Sequence, residues 1–88
     1  MSTESFVEEM RAAGHPVSEW SSGPGCTYAT HSHSYKKLLC CLEGSIVFHV
    51  GDRDVCLSAG DSTVVERGVE HSATVGRSGV RCVEAHVA

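Results

Sequence analysis

The sequence predicts an all-β fold, an antiparallel sandwich or barrel preceded by one short helix, and three observations carry that prediction. Apolar residues recur at helical spacing only near the N-terminus. From Cys26 onward Val, Ile, Thr, Tyr, Phe and Cys recur in short runs instead. Glycines punctuate these runs and no helical stretch separates them, which argues against a parallel sheet.

The helix is read from Ser5 and Glu8, which have the form of a capping box, and from Phe6, Met10 and Ala13, which recur until Gly14 and Pro16 stop the run. Its apolar stripe reads as packing surface against the outside of the main body. Val17 to Pro24 reads as a linker or arm anchored by Trp20. Strands are expected near Cys26 to His31, Lys37 to Leu42, Ile46 to Val50, Asp54 to Leu57, Ser62 to Glu66, His71 to Val75 and Val80 to Val87. The expected organisation is thus a helix and arm over residues 1–24 and a barrel over residues 25–88, together one domain. Alternate side chains on a strand face opposite ways, so Leu39, Cys41, Ile46, Phe48 and Leu57 are the expected interior. His49 then points away from Phe48, toward the surface or a dimer interface.

A chain of 88 residues is only marginally able to bury a sufficient core, and a homodimer is the expected source of further burial. Lys and Arg are scattered and the formal charge is -4, so no basic face exists to track nucleic acid. The longest nearly apolar run, Leu38 to Leu42, is far short of the roughly 20 residues a bilayer crossing needs. Glu4, Glu8 and Glu9 stand where a secretory signal would be basic and then apolar, which points to a cytoplasmic protein. Cys26, Cys40, Cys41, Cys56 and Cys82 form an odd set without a C-x-x-C pair, and read as small buried side chains in a reducing compartment.

His31-Ser32-His33 places two imidazoles at i and i+2, on one face of an extended segment, the spacing that offers two nitrogen ligands to one metal. Around it the chain resembles the cupin superfamily. The first cupin motif, a glycine, five residues, H-x-H, a glutamate and a later glycine, is met by Gly25, His31, His33 and Gly44. The second, a glycine, five residues, P-x-G, two residues, a histidine, three residues and an asparagine, is met by Gly60, Gly68 and His71. The resemblance implies an antiparallel double-stranded β-helix, a jelly-roll barrel. It also implies convergence of His71 on the H-x-H pair and a divalent ion, Fe, Mn, Ni or Zn, held by the three histidines.

The chain departs from the motifs at Lys37 for the glutamate, Glu66 for the proline and Val75 for the terminal asparagine. Lys37 matters most, because an ammonium offers no lone pair and repels a dication. Two accounts follow. Either a three-histidine metal centre persists with Lys37 turned to the pocket mouth to pair with an anionic ligand, or the metal has been lost and the pocket is a relic or an organic-ligand site. Glu84 and His86, two apart on the last strand, are possible fourth ligands, though a polar face exposed or paired at a sheet edge is the simpler expectation. Tyr28 or Tyr35 could supply a proton donor, and Tyr35 and Phe48 join Lys37, Glu84 and His86 as possible pocket residues. Three function classes stay open: a metal-dependent enzyme of dioxygenase or isomerase type acting on a small organic anion, a small-molecule binding or sensor module, and a purely structural barrel.

Overall fold

The computed structural model describes residues 3–88. Helix α1 (Thr3–Ala12) is followed by six strands, β1 (Val17–Ser22), β2 (Thr27–His31), β3 (Lys36–Val50), β4 (Arg53–Ser58), β5 (Ser62–Val65) and β6 (His71–Val87). Every pairing is antiparallel.

Two long strands carry the architecture. β3 and β6 pair along nearly their whole length, from Lys36↔Val87 to His49↔Ser72, with irregularities between Cys41 and Glu43 and between Gly44 and Ile46. The ladder bends there, as extra residues in a strand make it do. On one side of the bend the order is β1, the end of β6, the start of β3 and β5. On the other side it is β2, the start of β6, the end of β3 and β4. Two faces are thereby folded over one interior, a barrel with a preceding helix, in agreement with the predicted class. The expected breaks at Glu43-Gly44 and Gly76 to Gly79 are bends within continuous strands, because pairing resumes on either side. Gly44 is required at the bend: its φ is +75°, and a Cβ there would meet the Gly79 carbonyl oxygen at 1.9 Å.

The interior is Leu39, Cys41, Ile46, Phe48, Leu57, Ala73, Val75, Val80 and Cys82, which includes all five positions expected from alternation. Along β3 the inward residues are odd-numbered before the bend and even-numbered after it. A second cluster, Phe6, Cys40, Val83 and Ala85, lies beneath α1 on the outside of β3 and β6, so the helix stripe does pack against the main body. The helix ends in a Schellman motif: Gly14 adopts φ +81° and donates to Arg11, while His15 donates to Met10. Ser5 lies inside α1, not before it, so the expected capping box does not start this helix.

Val17–Ser22, expected to be a linker or arm, is strand β1, paired residue for residue with Ala85 to Val80. Its polar sequence hid a strand whose ladder is supplied entirely by the distant end of the chain. The expected burial holds for Cys40, Cys41 and Cys82, whereas Cys26 and Cys56 are exposed. Burial, then the neighbouring Cys41, pushes the Cys82 thiol up to about 12, so it stays protonated. No helix among the described residues is long and apolar enough to cross a membrane.

Candidate metal centre

His31 closes β2 and His71 opens β6, and the two are cross-strand partners. His33 follows His31 by two residues and joins them, although it lies just past the strand. The ring centroids are 4.8 Å apart for His31 and His33, 4.4 Å for His31 and His71, and 5.3 Å for His33 and His71. One nitrogen from each lies within 4.8 Å of the others.

Hydrogen bonds set which nitrogen is free. His71 Nδ1–H donates to the Val69 carbonyl at 3.0 Å, and His31 Nδ1–H donates to the Ala29 carbonyl at 2.7 Å. In the neutral imidazole this leaves Nε2 as the lone-pair atom. The Nε2 atoms of His33 and His71 are buried and have no hydrogen-bond partner among the described residues. Burial holds both imidazoles below their usual protonation range, and the positive charge of Lys37 and the neighbouring histidines adds to that effect. Three imidazole nitrogens with open positions form a donor set suited to a first-row divalent ion, so the residues present fit such a metal.

Beside the histidines lies a cavity of about 300 Å³, between β1, β2, β3 and β6. Trp20, Tyr28, Ile46, Phe48 and Ala73 form its apolar walls, and His31, His71, Lys37 and Glu84 its polar groups. Phe48 is buried, its ring centroid 6.3 Å from that of His71.

Lys37 does not reach out to the mouth as one account required: it is buried, and its Nζ lies 3.4 Å from Glu84 Oε1. Glu84 and His86 do not form an exposed polar face. Glu84 is buried, accepting from Trp20 Nε1–H at Oε1 and from His86 Nε2 at Oε2, each at 2.5 Å. The reason is that both faces of this strand are covered. Val83 and Ala85 pack under α1, which turns Cys82 and Glu84 inward. Glu84 is thus in the pocket but outside the histidine group. Tyr35 is a plate between His33 and His86, with centroids 4.9 and 4.0 Å away. Burial first, and Glu84 second, raise its phenol above the ordinary value, keeping it neutral. The Tyr28 hydroxyl is hydrogen-bonded to Ser22.

Trp20 is the pocket residue that sequence reasoning placed elsewhere, and nothing local to its segment marks it. Lys37 and Glu84 had a usable signal: Lys37 shares parity with Leu39 and Cys41, and Glu84 shares parity with Cys82.

The histidine triad and the bent double ladder define a small β-barrel with a metal-type pocket. Residues 18–83 match the cupin domain, and the chain belongs to that family. Solved structures share the fold. A cupin-2 domain protein of Shewanella frigidimarina is 17% identical with TM-score 0.72, over 84% of this chain and 71% of that one. A Rhizobium leguminosarum protein of unknown function is 13% identical with TM-score 0.79, over 85% and 71%. The cupin domain of Schizosaccharomyces pombe Cnp3 is 19% identical with TM-score 0.76, over 83% of this chain but only 52% of that one. A search of curated proteins finds no match.

Proposed function

We propose that this chain binds a divalent metal ion, Fe, Mn, Ni or Zn, through His31, His33 and His71 and presents it to a small organic ligand in the adjoining cavity. The buried, unpartnered Nε2 atoms of His33 and His71 carry the proposal, because a buried acceptor without a partner costs free energy that a metal bond would offset. An ion bound there would act as a Lewis acid toward a ligand oxygen. The chain's own residues supply the rest. Val69 and Ala29 fix the ring orientations, Trp20 and Phe48 exclude water, and Tyr35 braces His33.

A binding or sensor module is favoured over an enzyme of dioxygenase or isomerase type by one observation. Glu84, the pocket's carboxylate, has both oxygens engaged by Trp20, Lys37 and His86, which leaves it poorly placed to act as a base. Isothermal titration of the purified protein with zinc and with nickel, alongside elemental analysis, tests the metal assignment. Saturable binding with one ion per chain is expected, and no binding at millimolar metal would overturn it. A homodimer belongs to the same proposal, supported by the small core, and light scattering at micromolar concentration checks it.

A further inference from the structure

Lys37 and Glu84 are 9% and 6% exposed, and they are satisfied unequally. Glu84 receives donors at both oxygens. The Lys37 ammonium carries three N–H donors. Among the described residues its one ion-pair partner is Glu84 Oε1, and 3.4 Å is the long end of hydrogen-bonding range. A buried ammonium with donors left over is costly unless another acceptor reaches it. Lys37 lines the same cavity as His31 and His71, so its spare donors are met through the cavity, by water or by a ligand acceptor that displaces it.

We propose that Lys37 is the specificity-determining residue of this pocket and that the ligand is a small carboxylate with a compact apolar body, its oxygens taking the remaining Lys37 donors. The proposal deepens the metal-site reading and rests on it for the ligand's second anchor, the ion at the histidines. Charge supports the same choice. Lys37 and Glu84 cancel and a metal-ligating imidazole is neutral, so a bound dication leaves the pocket in excess positive charge that an anion compensates. The walls of Trp20, Ile46 and Phe48 suit an apolar body, and a cavity of about 300 Å³ stands at the small end of ligand pockets, with room for about ten heavy atoms.

Trp20 is the only tryptophan in the chain and lines the cavity, so its fluorescence reports occupancy. The full chain is titrated with benzoate and with benzamide, the same ring with and without the carboxylate, after metal chelation and again after zinc loading. Benzoate should saturate and bind about tenfold more tightly than benzamide. That preference should vanish in the Lys37→Met, Glu84→Gln double variant, which removes both charges together and strands neither. If the double variant does not fold, Glu84→Gln alone, which leaves the Lys37 charge without its partner, should raise the benzoate preference. Zinc failing to bind while the preference still follows Lys37 removes the metal reading and leaves this one standing. A preference unchanged in the variants overturns it and assigns the anion to the metal, and no saturable benzoate signal at tens of millimolar in either form overturns it as well.

Discussion

His49 and His71 lie almost opposite one another on β3 and β6, since His49 pairs with Ser72, yet they face different worlds. On the outer face both ring nitrogens of His49 are engaged, Nδ1 with Asp54 Oδ1 at 2.8 Å and Nε2 with Thr74 Oγ1 at 3.0 Å. On the inner face His71 spends Nδ1 on the Val69 carbonyl and leaves Nε2 buried and unpartnered. The outer histidine is a finished structural contact. The inner one holds a lone pair in reserve, in a place where leaving it so is costly. The comparison teaches that residue type says little about function here, and that the state of the second nitrogen says a great deal.

The largest expected effect sharpens the contrast between faces in stability alone. Leu39→Ala, at a fully buried interior position, should cost about 2–5 kcal/mol in urea unfolding. Leu38→Ala, half-buried beneath α1, should cost about 1–2 kcal/mol. Equal losses would mean that the inner cluster is not the main core.

Next comes metal affinity. His71→Ala should weaken zinc binding by at least about a hundredfold in calorimetry, since even residues that only support a ligand cost 10–100-fold. His49→Ala should leave it unchanged. Identical titrations for the two variants would erase the distinction between the two histidines.

Acid should separate the faces further. His33 and His71 are held below the ordinary value of 6.5, so the unfolded chain takes up their protons at higher pH than the folded one does. Their contribution to stability is present above 6.5 and is lost as pH falls through the folded values. For the metal-free protein the urea midpoint should therefore be lower at about pH 5.5 than at about pH 7.5. Zinc affinity should fall over the same range, because protons compete for the same nitrogens. A midpoint that rises on acidification would contradict the depressed protonation of the inner histidines. The smallest effect belongs to the outer face: Asp54→Asn, which weakens an exposed pair, should change stability by less than about 1 kcal/mol, measured by thermal melting.

What was legible in the sequence is what depends on local geometry. The period of two put His31 and His33 together, assigned Leu39, Cys41, Ile46, Phe48 and Leu57 to the interior, and turned His49 outward. Spacing of glycines and histidines carried the family resemblance, and with it the convergence of His71. The tertiary structure alone decided that Val17–Ser22 is a strand and that Trp20 reaches Glu84, because that ladder joins residues about sixty positions apart, as Trp20 pairs with Cys82. Parity with Cys82 pointed to Glu84 inside, but the structure was needed to choose that over the rule that polar residues turn outward, which a strand with both faces buried does not obey. The structure likewise placed Lys37 against Glu84. The register of β3 on β6 sets Lys37 opposite His86 and Leu39 opposite Glu84, and no local pattern in either segment encodes which residue of a distant strand will lie across from it.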